Sequence, residues 1–153
     1  MMVNLSDILA RAQARARDNN LPYAGSLTPK EAQSVLGLAP AARLVDVRTR
    51  AELDLVGRVP GAQHIEWAFY PGMKPNPDFP AQLNMQVDKE SLVMFLCRTG
   101  GRSHNAAIVA AQEGFAESYN ILEGFEGETD HAANQRGNLN GWRAAGLPWT
   151  NVG

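Results

Sequence analysis

The chain is poor in cysteine: Cys97 is the single one among 153 residues. One cysteine excludes an internal disulfide and an internal dithiol redox pair, and a free thiol fits a reducing cytoplasm. Basic residues are in no surplus either. With 14 Lys and Arg against 16 Asp and Glu, the formal net charge is -2, which speaks against a nucleic-acid partner. No apolar stretch reaches the ~18 residues of a membrane span, so no membrane partner is expected. Internal repeats and low-complexity linkers are missing as well. The opening stretch "MMVNLSDILARAQARARDNN" has no continuous apolar core and no small-residue cleavage site, which argues against a signal peptide. Arg11, Arg15 and Arg17 have a transit-peptide style, but Asp7 and Asp18 oppose it, and the stretch reads as an amphipathic helix. What remains is an ordinary composition, 44% hydrophobic and 20% charged, in a chain long enough for one domain with a real core.

Helix and strand signals alternate along the chain. Ser6 is a candidate N-cap for the first helix, with Ile8, Leu9 and Ala12 on one side. A short strand is expected over 24–27. "TPKE" then supplies a Thr28 cap, Pro29 at the first helical position and Glu31 at the third, with Gly37 as a stop. "ARLVDV" (42–47) reads as a buried strand and "TRAE" (49–52) as a second capping box. "AQHIEW" (62–67) alternates like a strand. A proline-rich loop over 70–80 leads to a helix near 81–85. "SLVMFL" (91–96) has strand length, 103–114 reads as a helix closed by Gly114, and "SYNIL" (118–122) as a further strand. A short helix is expected near 141–145. Alternation of this kind predicts a parallel sheet covered on both faces, with ligands bound beyond the carboxyl ends of its strands.

Cys97 stands at such an end, in "FLCRTGGRSHNAA". Gly100 and Gly101 let the backbone turn tightly and aim successive N–H groups inward. A helix starting at Ser103 adds unpaired N–H groups and its positive dipole end, worth roughly 0.3–2 kcal/mol. Several charge-assisted hydrogen bonds at ~1.5–3 kcal/mol each outweigh that term. Together they favour an anion at the loop centre: the thiolate of Cys97, and an anionic substrate steered by Arg98 and Arg102. The alternative is a buried apolar cysteine beside a simple turn and solvated arginines.

"CRTGGRS" resembles the active-site loop of the rhodanese family of sulfurtransferases. Three further stretches follow the family's order: "LVDVRTRAEL" (44–53) resembles its Asp-x-Arg-x-x-x-Glu segment. "GRVPGAQHI" (57–65) resembles its Gly-His-Ile-Pro-Gly-Ala segment, with Arg58 and Val59 in place of His and Ile. "NILEGFEG" and "GWRAAGLPW" resemble its closing turn, Trp helix and final Trp. The resemblance implies a three-layer α/β fold, a central, mostly parallel five-stranded sheet flanked by helices. It divides the chain into an N-terminal helical extension over 1–22 and a rhodanese-like domain over 23–150, with an insertion at 125–140. It implies transfer of a sulfane sulfur from a small anionic donor such as thiosulfate, through a persulfide on Cys97, to cyanide or to a thiol or protein acceptor. Arg102, with Arg98, would hold the donor's sulfonate. The backbone N–H groups of Arg98, Thr99, Gly100, Gly101 and Arg102 would hold the persulfide charge, and Ser103 would cap the following helix and help brace the loop. No metal and no cofactor is implied.

Two other readings stay open. A cysteine phosphatase needs five residues between Cys and Arg, and position 103, where that arginine would stand, is Ser103. A narrower ring suits a single sulfur anion better than a phosphate. A non-catalytic binding module of the same family usually lacks the cysteine or the loop glycines, and this chain keeps both.

Asp46 and Arg48, at the end of a neighbouring strand, either support the loop or pair with each other and with backbone groups. His64 reads as a satisfied structural histidine and His104 as exposed. His131, near Glu128 and Asp130, reads as part of a polar loop rather than a metal ligand. Trp67, Trp142 and Trp149 read as core anchors. The segment 125–140 departs from the family pattern: it is polar and rich in Gly and Asn, and is either a tolerated surface insertion or a lid over the pocket.

Overall fold

The computed structural model describes residues 4–130, 135–136 and 139–151. Helix α1 (Leu5–Asp18) is capped by Asn4, whose side chain accepts from the Asp7 amide, so the cap lies two residues before Ser6. Strand β1 (Gly25–Leu27) leads to α2 (Pro29–Leu38), which opens on a complete capping box between Thr28 and Glu31 and runs through Gly37. Gly37 has no φ-positive turn to make there, so the helix ends one residue later, at the Ala39 cap. Strand β2 (Arg43–Asp46) precedes α3 (Arg50–Val56), which has the same kind of box, between Thr49 and Glu52. Beyond α3 the strand expected over 62–67 shrinks to β3 (Gln63–His64), the two residues in ladder register with β2, while the Ile65 and Trp67 amides still donate to the Asp46 and Val47 carbonyls. The proline-rich loop holds a small antiparallel hairpin, β4 (Ala68–Phe69) and β5 (Lys74–Pro75), with a cis Tyr70–Pro71 bond at its tip. Then come α4 (Phe79–Gln86), β6 (Val93–Leu96), α5 (Gly101–Gln112) and β7 (Ser118–Ile121). A second small pair, β8 (Thr129–Asp130) and β9 (Gln135–Arg136), lies within the segment 125–140; residues 131–134, His131 among them, fall outside the described residues.

The strands form one five-stranded parallel sheet in the order β1-β7-β6-β2-β3. Strand alternation sorts the core into two layers. Leu44, Met94, Leu96, Tyr119 and Ile121 pack with Ile8, Ala12, Ala32 and Val35 from α1 and α2. Val45, Val47, Val93, Phe95 and Cys97 pack with Phe79 and Leu83 of α4 and Ala106, Ala107 and Ala110 of α5. The fold is therefore three-layered, helices on both faces of the sheet. Helix α1 belongs to that packing: a Cβ on Gly25 would stand 2.6 Å from the Ala12 carbonyl carbon, so helix and strand backbones lie in close contact.

The expected helix near 141–145 is instead a hydrogen-bonded turn, with the Ala145 amide donating to the Gly141 carbonyl and the Gly146 amide to that of Arg143. Gly141 at φ 98° and Gly146 at φ 77° bound it too closely for a helix to propagate. Trp142 is fully buried and its indole N–H donates to the Pro148 carbonyl at 2.8 Å. Trp67 is half-buried and meets Phe79 edge-on. Trp149 is 40% exposed, so it is no core anchor; it stands against Phe125 and beneath Arg143 at the surface.

Candidate active site

Strands β2 and β6 are neighbours whose connections leave in opposite directions, α3 toward β3 and α5 toward β7. Their carboxyl ends therefore part around a crevice, the place where open parallel sheets bind ligands. Cys97 closes β6 at that crevice, and Asp46, Val47 and Arg48 close β2 beside it.

Cys97 points into the layer beneath α5 and is 1% exposed. Its Sγ accepts a hydrogen bond from the Gly100 amide at 3.0 Å. Gly100 is also the N-cap of α5, in the left-handed conformation at φ 110°, a geometry that glycine adopts without strain. It folds the chain back so that its own N–H meets the sulfur while α5 begins at the next residue. Having no side chain, Gly100 cannot cap the first turn, whose amides remain available to an anion. Thr99 and Gly101 are exposed at the rim of the loop.

Ser103 does not cap α5, because the helix starts two residues earlier than expected. Its hydroxyl lies buried under the loop with one proton and two acceptors in reach, Asn120 Oδ1 at 2.5 Å and Cys97 Sγ at 3.3 Å. Asn120, on β7, donates in turn to the Gly100 carbonyl at 3.3 Å. A polar side chain in a fully buried strand was the signal for Asn120, and sequence reasoning passed over it. His104 is not simply exposed: it is half-buried, and its Nδ1 shares a 2.7 Å hydrogen bond with the Tyr23 hydroxyl.

The two loop arginines are occupied. Arg102 forms a bidentate pair with Glu52, Nη1 to Oε1 at 2.6 Å and Nη2 to Oε2 at 2.8 Å. This differs from the expectation that Arg102 waits for a sulfonate; α3 brings a carboxylate to it first. Burial pushes the Glu52 carboxyl up, but the Arg102 guanidinium and the Thr49 amide and hydroxyl outweigh burial and hold its pKa at about 2. Glu52 is thus both the reciprocal cap of α3 and the anchor of the loop arginine. Arg98 pairs with Glu126, Nε to Oε2 at 3.0 Å; the arginine side chain is 46% exposed and the glutamate only 7%.

Asp46 and Arg48 make a fully buried bidentate pair, Nη2 to Oδ2 at 2.7 Å, and Arg48 also donates to the Gly57 carbonyl. The Arg48 guanidinium lies 4.3 Å from the centre of the Phe125 ring, which gives its remaining N–H face an aromatic partner. The His64 Nε2 meets the Arg48 carbonyl at 2.8 Å, a structural contact. None of these groups touches the sulfur; they fix the end of β2 and, through Phe125, the segment that backs the loop.

That backing segment begins at the turn after β7. The Phe125 amide donates to the Cys97 carbonyl and the Glu126 amide to the Arg98 carbonyl, at 2.8 and 2.9 Å. Gly124, at φ 68°, makes this approach possible: a Cβ there would lie 2.5 Å from the Arg98 carbonyl. Phe125 and Glu126 are buried. The first residues of the segment read as a surface insertion are therefore the rear wall of the loop.

A match to the rhodanese-like domain family model spans residues 28–130. The chain is 42% identical to Rv0390 from M. tuberculosis, whose crystal structure superposes with a TM-score of 0.77 over 84% of this chain and 98% of that one. An uncharacterized protein of Rickettsia conorii is 36% identical over 108 residues, 69% of this chain and 80% of its own. The solution structure of a polysulfide-sulfur transferase homodimer from Wolinella succinogenes shares the fold, with 23% identity and a TM-score of 0.57 over 95% of this chain and 88% of that one. The sulfur cradle between β6 and α5, the family-model match and these relatives agree: the chain belongs to the rhodanese-like domain family.

Proposed function

We propose that the protein is a sulfurtransferase that carries a sulfane sulfur on Cys97. The observation that carries this reading is the sole cysteine at the carboxyl end of the central strand, its Sγ held by the Gly100 amide at the start of α5. In the first half-reaction the Cys97 thiolate attacks the outer sulfur of a donor. With thiosulfate the sulfur–sulfur bond breaks, sulfite leaves with the electron pair, and a persulfide anion remains. In the second, a thiol or cyanide takes the outer sulfur and the thiolate returns. The Gly100 amide and the first-turn amides of α5 stabilise the anion at each stage. Ser103 and Asn120 hold the loop against β7, Arg102 is fixed by Glu52, and Asp46 with Arg48 stiffens the neighbouring strand end. The lone thiol suits a reducing compartment, and we assign the activity to the cytoplasm. Among the described residues, no helix is long and apolar enough to cross a membrane.

Phosphoryl transfer is disfavoured by Ser103, buried against the sulfur where a phosphatase would present arginine. The test is thiosulfate:cyanide turnover by wild type and Cys97→Ser. Turnover lost in the folded variant supports the reading; turnover near wild type overturns it.

A further inference from the structure

We infer that the site is built for a persulfide donor of low charge, not for thiosulfate, and that Glu126 sets this preference. The inference rests on the sulfurtransferase reading above. A dianion needs free cationic groups at its binding place. Here Arg98 is paired with Glu126 at 3.0 Å and Arg102 with Glu52 at 2.6 Å. Both carboxylates stand at the loop, so each cation is matched before any donor arrives. Freeing Arg98 for a sulfonate would leave the Glu126 carboxylate, 7% exposed, buried beside the incoming anion. A buried charge stripped of its partner is strongly unfavourable, and like charges in a poorly solvated site repel.

The space next to the loop favours a donor with an organic body. A cleft of about 480 Å³ beside the loop is lined by Gly100, Gly101 and His104 together with apolar surface of Leu21, Tyr23 and Leu122, and Ser26 and Asn120 add polar groups to it. The cation of that cleft, Arg15, is itself held by Glu31 at 2.6 and 3.0 Å. The His104 ring is engaged by Tyr23. A small alkyl persulfide fits such a place: carbon body against the apolar wall, reacting end at the loop amides. The Cys97 thiolate attacks the outer sulfur of R–S–SH. The sulfur–sulfur bond breaks, R–S⁻ leaves with the electron pair, and the proton stays on the transferred sulfur as Cys97–S–SH. No second anionic group has to be accommodated, whereas thiosulfate brings a sulfonate.

The test is the second-order rate of sulfur addition to the full-length protein, followed by intact mass, with thiosulfate and with ethyl persulfide, which has no carboxylate, at equal concentration. Wild type is expected to load from the persulfide at least about tenfold faster. Glu126→Gln removes the charge and keeps the shape, freeing Arg98. It is expected to raise the thiosulfate-to-persulfide rate ratio about tenfold, a change that general loosening of the fold would not produce. Equal loading from both donors by wild type, or an unchanged ratio in the folded variant, overturns the donor preference while sulfur transfer stands. If neither donor adds sulfur to any form, the transferase reading fails together with it. Should Glu126→Gln not fold, the wild-type ratio alone decides.

Discussion

At the scale of single residues, the chemistry concentrates on a buried atom with two hydrogen-bond partners among the described residues. Cys97 Sγ has one backbone donor, Gly100, and one hydroxyl, Ser103. Cys97→Ser is expected to keep the fold, since the oxygen occupies less space at the same position, and to abolish sulfur uptake entirely. Arg102→Ala is a different kind of change. It leaves Glu52 without its bidentate partner, and losing hydrogen bonds to a charged group costs roughly 1.5–3 kcal/mol. The pH dependence follows from the direction of the Glu52 shift. Its pKa is depressed to about 2 in the folded state, below the ordinary 4.5. The stabilisation is therefore fully present above about 4.5 and is lost as the pH falls from there toward 2. The gap in melting temperature between wild type and Arg102→Ala should hold from neutral pH down to about 5 and narrow in more acid solution. A gap independent of pH down to 2 would show that the pair is not what the substitution removes.

Residue identities were legible where type and spacing carry meaning. The cysteine before a glycine pair is such a case, and so are Asp46 and Arg48 two positions apart. Partners drawn from distant segments were not. Glu52 was visible as a cap, but its span of 50 positions to Arg102 is a product of the sheet order. Glu126 looked like one acid in a polar run, and only the backbone pairing of 125–126 with 97–98 makes it the partner of Arg98.

Among the elements, local signals dominated where they were strong. Both capping boxes form as their sequences dictate, because cap and third residue satisfy each other without help from the rest of the chain. Thr28→Ala should lower stability by about 1 kcal/mol, measurable by denaturant titration, without altering sulfur transfer. The weak cases fail for a physical reason. "AQHIEW" alternates over six residues, yet ladder pairing with β2 covers only Gln63 and His64, and beyond them the Ile65 and Trp67 amides follow the end of that strand in single hydrogen bonds to the Asp46 and Val47 carbonyls. The stretch after Gly141 has helical composition but is closed by positive-φ glycines on both sides. Gly124 is the element-scale hinge of the site. A methyl group there meets the Arg98 carbonyl at 2.5 Å and the Cys97 carbonyl oxygen at 2.6 Å. Gly124→Ala should therefore displace the loop from its rear wall, lowering both melting temperature and the rate of sulfur uptake. Unchanged uptake in that variant would mean that the backing segment does not position the sulfur.

In the molecule as a whole, the parallel sheet follows from alternation, and the place of the cysteine follows from the sheet. What alternation does not reveal is strand order, and strand order puts Cys97 on the middle strand of five, at the crevice where neighbouring connections part. The first helix shows the same limit. Its amphipathic pattern was plain, yet its contact with β1, backbone against backbone at Gly25, depends on the assembled sheet. Ile8 and Ala12 sit in the same core layer as Leu96 and Ile121, so α1 is a working part of one face. Removing residues 1–18 should expose that layer and lower the melting temperature by several degrees or more, the consequence of unburying apolar side chains worth about 1.5–3 kcal/mol each when large.

Whether Cys97 carries the transferred sulfur is tested by intact mass of the reduced protein after exposure to a sulfane-sulfur donor, with the adduct located by peptide mapping. One added sulfur atom is expected, on the peptide containing Cys97, removed by cyanide or a thiol and absent from Cys97→Ser. A protein whose mass is unchanged by thiosulfate and by persulfide alike would contradict it.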